Sequence, residues 1–249
     1  MIELKNICVG YGKGKVLCDL SVSFAKGELT AVIGANGCGK TTLLKTALGL
    51  LRAEQGEVIL DGVGLTDLKR NEIAKRAAYL AQIKRSPDMT VEQMVLHGRF
   101  PYLTYPRKYG ENDRAAAICA MDKMGIKAFS EMPVSMLSGG MRQKAYIAMA
   151  LAQETDYILL DEPTTFLDIS NQVSLVRNLR ELTKEGKGIV FVMHDLPLAF
   201  GFSDKIAVLD KGKIVALGTP EEIYSSGITE KIFGVALLRT PEGGYCYSY

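Results

Sequence analysis

The sequence predicts an α/β fold in which helices cover a mostly parallel β-sheet. Short apolar runs alternate with segments of helical periodicity, as in successive strand–helix units. Three of these runs lack polar alternation, which is typical of strands buried on both faces: Leu29–Ile33, Tyr157–Leu160 and Ile189–Met193. We expect these three runs to be the central strands.

Length and composition fit a folded protein. At 249 residues, of which 47% are hydrophobic, the chain can bury a sizeable core as one large domain or as a domain that carries a smaller lobe. Thirty basic and 28 acidic residues give a formal net charge of +2. Because this balance attracts no nucleic acid at long range, we expect no nucleic-acid partner unless a local patch supplies one.

The N-terminal segments predict an antiparallel β subdomain. Residues 2–9 and 16–24 alternate more and are separated by the glycine-rich segment Gly10–Gly14, which indicates two antiparallel strands around a loop. At the other end of the chain, the residues after Gly218 suffice for helices and a closing strand.

A helical subdomain is predicted in the middle of the chain. Strand patterns vanish between about residue 85 and residue 153, and helical spacing appears at Val91–His97, Asn112–Met124 and Gly140–Gln153. We therefore expect one domain over residues 1–249, with the core formed by 1–84 and 154–249 and the helical subdomain by 85–153.

The cysteines and the apolar runs predict a cytoplasmic protein. The five cysteines form neither a CxxC pair nor a metal-ligand spacing, and free thiols suit a reducing cytosol: Cys8, Cys18, Cys38, Cys119 and Cys246. The N-terminal residues do not resemble a signal peptide, and no apolar run reaches the roughly 20 residues of a spanning helix. If the chain serves transport, a separate chain must form the pore.

A phosphate-binding loop follows the first predicted central strand. The segment fits GxxxxGK[ST] and consists of Gly34, Ala35, Asn36, Gly37, Cys38, Gly39, Lys40 and Thr41, with Thr42 in the helix that opens next. Backbone amides and the helix N-terminus bind phosphate oxygens, Lys40 reaches the β- and γ-phosphates, and Thr41 binds Mg²⁺. An ordinary glycine-rich turn is the alternative. ATP and Mg²⁺ are the predicted cofactors.

An acidic pair follows the second predicted central strand. Asp161 emerges at the carboxyl edge of the sheet, where ligands bind in open α/β folds, and suits a magnesium ligand. Glu162 points the other way if the extended geometry persists, and it is the candidate base that polarises the attacking water. A solvated strand end is the alternative for both carboxylates.

The segment Leu137–Met141 resembles the LSGGQ signature of ABC transporter ATPases. With the phosphate loop before it and the acidic pair after it, nearly the whole chain is similar to the ATP-binding subunit of an ABC transporter. The resemblance implies a P-loop NTPase core, and it implies that Ser138, Gly139 and Gly140 close over a γ-phosphate held by the opposite subunit. The alternative for Ser138 is an ordinary helix N-cap. Met141 replaces the glutamine of the signature, which puts one polar contact in doubt.

Other positions fit the same family pattern. The resemblance implies that Tyr11 stacks on adenine, that Gln82 senses Mg²⁺ and the membrane partner, and that His194 contacts the γ-phosphate. Asp168 matches the D-loop and also suits a helix N-cap. His97 matches nothing in the pattern and is interpreted as structural.

The subgroup that the chain resembles is the importers of iron-siderophores, haem and cobalamin. The segment Pro163–Gln172 and the residues Gly98–Tyr102 carry this resemblance. It implies integral membrane permease subunits as partners, a substrate-binding protein as an indirect partner, a homodimer of ATPases, and a peripheral position on the cytoplasmic face of the membrane. The aromatic loop Phe100–Tyr109 either contacts the permease or is an ordered surface loop. An exporter motor with a separate pore, and a soluble ATPase of DNA repair or ribosomes, are the alternative functions.

Overall fold

A computed structural model describes residues 1–12, 14–82, 87–165 and 167–248 of the chain. The strands in this part are β1 (Ile2–Tyr11), β2 (Gly14–Phe24), β3 (Leu29–Ile33), β4 (Gln55–Leu60), β5 (Val63–Gly64), β6 (Ala77–Leu80), β7 (Tyr157–Leu160), β8 (Gly188–Val192), β9 (Lys205–Asp210), β10 (Lys213–Gly218), β11 (Leu237–Arg239) and β12 (Tyr245–Tyr247).

The α-helices in the same part of the chain are α1 (Lys40–Ala47), α2 (Arg70–Ala74), α3 (Val91–Leu96), α4 (Glu111–Lys123), α5 (Gly139–Ala152), α6 (Ile169–Lys184), α7 (Leu196–Phe202), α8 (Pro220–Ser225) and α9 (Ile228–Phe233). Short 3₁₀ turns occupy Leu65–Asp67, His97–Tyr102, Lys127–Phe129 and Val134–Met136. Among the described helices, none has both the length and the apolar character needed to span a bilayer.

The main sheet has the strand order β10-β9-β3-β8-β7-β6. All neighbours in it run parallel except β10, which pairs antiparallel with β9 at one edge. The three predicted central strands lie inside this sheet, and every residue of β3, β7 and β8 is buried. The prediction of a mostly parallel sheet is therefore confirmed.

Two hydrophobic cores explain why the central strands are apolar at nearly every position. In β3, Val32 faces a core shared with the N-terminal sheet, whereas Ala31 and Ile33 face the core on the helical side. At the start of β7, Tyr157 faces the core shared with the N-terminal sheet, and Ile158 faces the core on the helical side. Because successive side chains of a strand point to opposite faces, burial on both faces removes the polar alternation.

The N-terminal sheet is antiparallel, in the order β2-β1-β4-β5. The expected loop at Gly10–Gly14 is shorter than predicted, because β1 continues to Tyr11 and β2 begins at Gly14. At the C-terminus, α8 and α9 are followed by the antiparallel hairpin β11–β12, so two closing strands replace the single strand that was expected.

Helices dominate the middle of the chain, as expected. Both ends of α3, α4 and α5 lie within one residue of the ends of the predicted spans. Among the described residues of this region, the isolated bridge between Thr90 and Pro133 is the only β-pairing. The domain boundaries at residues 84/85 and 153/154 stay a prediction.

The turn that leads into the aromatic loop Phe100–Tyr109 is held against α5. The buried side chain of Arg99 bonds to the end of α5, and the absence of a side chain at Gly98 allows close contact with the helix backbone. The Arg99 guanidinium is 6% exposed, and its Nη1 donates to the carbonyl oxygen of Ala152 at 2.8 Å and to Glu154 Oε2 at 2.6 Å. Next to it, a Cβ on Gly98 would lie 2.1 Å from the carbonyl oxygen of Met149. The turn that starts the loop therefore touches the backbone of α5 directly.

Replacing Gly98 with alanine is expected to destabilise the protein. The added methyl group would overlap the α5 backbone, and overpacking of this kind costs about 1–3 kcal/mol of the free energy of unfolding. Urea denaturation of Gly98→Ala measures this. The matched control is Gly201→Ala in α7, where a Cβ meets no atom within 4 Å and alanine should be neutral or slightly stabilising. Equal stability of the two variants would contradict the prediction.

Candidate nucleotide-binding site

The phosphate loop connects β3 to α1. The buried strand ends at Ile33, and α1 begins at Lys40 after Gly37 and Gly39 adopt left-handed φ angles of 78° and 112°. An L side chain rarely adopts such angles, so these glycines let the loop curl and direct its amides inward. The N-terminus of α1 adds a favourable dipole for an anion.

The Lys40 ammonium lies within its own loop. Lys40 is 6% exposed, and its Nζ donates to the carbonyl oxygens of Gly34 at 2.8 Å and Ala35 at 3.0 Å. Nearby, burial raises the pKa of the Cys38 thiol, which keeps it neutral. The loop carbonyls therefore hold the Lys40 ammonium within the phosphate loop.

Thr41 and Asp161 meet across the end of the sheet. Thr41 Oγ1 donates to Asp161 Oδ1 at 3.1 Å, and the hydroxyl of Tyr79 donates to Asp161 Oδ2 at 3.1 Å. Burial, together with the charge of Asp161, raises the pKa of Tyr79, which keeps its hydroxyl a donor. A hydroxyl and a carboxylate are hard oxygen ligands of the kind that Mg²⁺ binds in phosphate sites, so the donor set fits the predicted metal.

The carboxylate of Glu162, which follows β7, contacts side chains that follow the neighbouring strands β6 and β8. Its Oε2 accepts from Gln82 Nε2 at 2.8 Å and from Thr165 Oγ1 at 3.2 Å, and its Oε1 lies 2.7 Å from His194 Nε2. The three side chains predicted to be catalytic, Glu162, Gln82 and His194, are therefore in direct contact.

The extended geometry of β7 does not persist at Glu162. Its φ is 51°, in the left-handed region, which is uncommon for a residue other than glycine. Such a conformation costs on the order of 1–3 kcal/mol and is found mainly at functional sites. The reversal at Glu162 turns the chain away from the strand direction, and the carboxylate is held between Gln82 and His194.

Ser138 caps α5, which was the alternative interpretation of this residue. Its Oγ accepts from the backbone N–H of Met141 at 3.3 Å, and both Ser138 and Gly139 are exposed. In the described part of the chain, Ser138, Gly139 and Gly140 make no hydrogen bond to the phosphate loop of their own chain. They are accessible to another molecule.

The signature segment packs against the start of α6. A Cβ on Gly140 would lie 2.8 Å from Oδ1 of Asn171. Asp168 caps α6 by accepting from the backbone N–H of Asn171 at 2.8 Å, and it also accepts from Asn171 Nδ2 at 2.8 Å. Asp168 therefore holds the Asn171 side chain against Gly140. Although Asn171 lies within the segment Pro163–Gln172, sequence analysis missed this contact because no local pattern indicates that the segment approaches Gly140.

The remaining predicted residues lie apart from these contacts. Tyr11 ends β1 and is 54% exposed, as an aromatic platform for a ligand would be. His97 Nδ1 lies 2.9 Å from the carbonyl oxygen of Gln93 in α3, which agrees with a structural role. Sequence analysis also missed Thr165 and Tyr79, and only the register of β6 against β7 could have indicated the latter.

The fold and the site define a P-loop ATPase with an N-terminal antiparallel sheet. Residues 17–165 match the family described as "ABC transporter". The chain belongs to this family, which confirms the predicted fold and the predicted binding and hydrolysis of ATP.

Relatives of known name align along nearly the whole chain. The ferric enterobactin transport ATP-binding protein FepC of Escherichia coli (strain K12) is 42% identical over 236 residues, which are 94% of this chain and 87% of the relative. The petrobactin import ATP-binding protein FpuD of Bacillus anthracis is 40% identical over 234 residues, 93% of this chain and 86% of the relative.

Solved structures agree with the fold. An inward-facing ABC transporter assigned to the metal-chelate type superposes with a TM-score of 0.85 at 27% identity, covering 100% of this chain and 97% of that one. A dimeric ATP-binding cassette in a post-hydrolysis state, bound to ADP and Pi, has a TM-score of 0.76 at 27% identity, covering 88% of this chain and 99% of that one.

The contact between Gly140 and Asn171 predicts a coupled pair of substitutions. Gly140→Ala should lower the free energy of unfolding, because its methyl group displaces the Asn171 side chain from Asp168. In an Asn171→Ala background the same change should cost less, with a coupling energy of about 0.5–3 kcal/mol. A double-mutant cycle in urea measures the coupling, and additive single effects would show that the contact is energetically unimportant.

Proposed function

We propose that the chain is the ATP-hydrolysing subunit of an importer for iron chelates of the siderophore type. The supporting observation is the likeness over more than nine-tenths of the chain to FepC and FpuD, whose names refer to transport of ferric enterobactin and import of petrobactin, and to YusV of Bacillus subtilis (strain 168), which is named as a probable siderophore transport system ATP-binding protein. The iron(3+)-hydroxamate import ATP-binding protein FhuC of Bacillus subtilis (strain 168) is also 38% identical over 236 residues. Haem and cobalamin are the other cargoes of the subgroup that the sequence resembles.

The catalytic step is proposed to occur at Glu162. Its carboxylate accepts a proton from the attacking water, while Gln82 and His194, which contact both of its oxygens, hold it in place. Lys40 neutralises the β- and γ-phosphates from within the loop. Thr41 and Asp161 would hold Mg²⁺, with Gln82 as a further residue of that site, and a bound Mg²⁺ would supply positive charge that offsets the charge developing on the phosphates.

The active form is proposed to be a homodimer in which each nucleotide lies between two chains. Ser138, Gly139 and Gly140 of one chain face the phosphate loop of the other, and the exposure of Ser138 and Gly139 at the start of α5 supports this role. Tyr11 stacks on adenine. ATP favours the closed dimer, and its hydrolysis reverses the shift in population.

The proposed partners are integral membrane permease subunits, with a substrate-binding protein as an indirect partner. The likeness to a whole metal-chelate type transporter supports this assembly, as does the import function in the names of the relatives. The subunit lies on the cytoplasmic face of the membrane. Residues 85–153 move as the helical subdomain relative to the core formed by 1–84 and 154–249, and the loop Phe100–Tyr109 contacts the permease.

Two substitutions should separate binding from hydrolysis. Glu162→Gln keeps the shape and the hydrogen-bonding capacity of the side chain but removes the base, so hydrolysis should fall at least about 100-fold while ATP binding persists and a dimer accumulates. Lys40→Ala removes a charge-assisted contact, so ATP affinity should fall at least about tenfold. Steady-state ATPase assays, nucleotide titration and size-exclusion chromatography measure these effects. Native turnover by Glu162→Gln would overturn the assignment of the base.

Uptake by the assembled transporter tests the cargo. The chain is co-expressed with its cognate permease, and uptake of ferric siderophore, haem and cobalamin is compared between the native chain and Glu162→Gln. We expect ATP-dependent uptake of ferric siderophore only in the native transporter. Uptake of haem or cobalamin instead would reassign the cargo, efflux would indicate an exporter motor, and co-purification with ribosomes or DNA without a permease would indicate a soluble ATPase.

A further inference from the structure

Tyr79 lies at the magnesium site although no motif includes it. Strands β6 and β7 are parallel, with Tyr79 opposite Leu159. Asp161 comes two residues after Leu159, and its backbone N–H donates to the carbonyl oxygen of Leu80 at 2.9 Å, so the ladder continues to this residue. Because side chains two residues apart share a face of the sheet, Tyr79 and Asp161 lie on the same face.

The two oxygens of Asp161 have different partners. Oδ1 accepts from Thr41 Oγ1 and Oδ2 accepts from the Tyr79 hydroxyl, both at 3.1 Å. The torsion that turns a carboxylate is soft and has no sharp rotamer, so a single contact would leave its orientation loosely defined. The second contact defines which oxygen faces Thr41.

We propose that Tyr79 is a positioning residue for Mg²⁺: its hydroxyl holds Oδ2 of Asp161 so that Oδ1 stays directed at Thr41. This inference rests on the proposed role of Thr41 and Asp161 as the residues that hold the metal. Partners that orient a metal-binding carboxylate typically contribute 10- to 100-fold to metal affinity. Tyr79 does not touch the nucleotide in this proposal and acts only through Asp161.

The ring of Tyr79 has a separate, structural role. It is partly buried and packs against the core beneath the N-terminal sheet, alongside Ala77. Phenylalanine preserves this packing and removes only the hydroxyl. Tyr79→Phe therefore tests the hydrogen bond without opening a cavity.

A matched control exists at the other end of β7. The hydroxyl of Tyr157 also donates to a carboxylate, Asp61 Oδ1 at 2.8 Å, and burial raises the pKa of Tyr157 as it does that of Tyr79. Tyr157→Phe removes a hydrogen bond of the same chemistry at the amino end of the strand, away from Asp161. It measures the general effect of losing such a bond.

The experiment measures binding of Mn²⁺, as a paramagnetic substitute for Mg²⁺, to the ADP-bound protein by electron paramagnetic resonance. Tyr79→Phe should weaken Mn²⁺ about tenfold, whereas Tyr157→Phe and the native chain should bind alike. The Mg²⁺ concentration for half-maximal ATP hydrolysis should rise by the same factor, with turnover near native at saturating Mg²⁺. ADP affinity in EDTA should not change. Thermal unfolding of each variant checks that it is folded.

The outcomes separate this inference from the proposed function. If Tyr79→Phe binds Mn²⁺ like the native chain while Asp161→Asn does not, the positioning role is wrong and the metal assignment stands. If Asp161→Asn binds Mn²⁺ like the native chain, the metal assignment itself is wrong. If Tyr79→Phe and Tyr157→Phe weaken Mn²⁺ equally, the effect is a general loss of stability and the inference fails.

Discussion

The structure depends on the parallel register of the main sheet. Strands β3, β6, β7 and β8 all end at the same edge, and each is followed there by a residue of the site: Gly34, Gln82, Asp161 and His194. Burial on both faces fixes this register, because a shift by one residue would exchange the two cores that the strands separate. The two cores therefore fix the positions of the site residues, although none of the apolar side chains in the cores takes part in the reaction.

Two carboxylates adjacent in sequence are separated in space by a single backbone reversal. Asp161 continues the strand and is held by Thr41 and Tyr79, whereas Glu162 turns into the left-handed region and is held by Gln82 and His194. Had both residues stayed extended, the ladder would have carried Glu162 past the site. The local strain is offset by three side-chain contacts to one carboxylate, which also limit its motion.

The sequence predicts most of the fold and the motif residues, for physical reasons that also explain what it misses. The apolar runs at β3, β7 and β8 correspond to strands that are buried throughout. The edge strand β10 also contains an apolar run, Ile214–Leu217, but its residues alternate between exposed and partly buried, so an apolar run alone does not distinguish a central strand from an edge strand. Glycine spacing reveals the phosphate loop because its chemistry needs bare amides at fixed positions. The contacts of Tyr79 and Asn171 could not be predicted, because they arise from strand register and from the approach of two helices, which no local pattern encodes. The bend at Glu162 was missed for a similar reason.

The close backbone contact that Gly98 allows links the start of the aromatic loop to the position of α5. The turn that carries Phe100 and the buried Arg99 touches the backbone of α5, and a close-packed contact of this kind is nearly incompressible. The ring of Phe100 is exposed next to this turn, and Ser138 caps the opposite end of the same helix. The turn contacts α5 near Met149, and the signature segment begins at the other end of this helix, so a rigid-body shift of the turn together with α5 would also shift Ser138 and its neighbours.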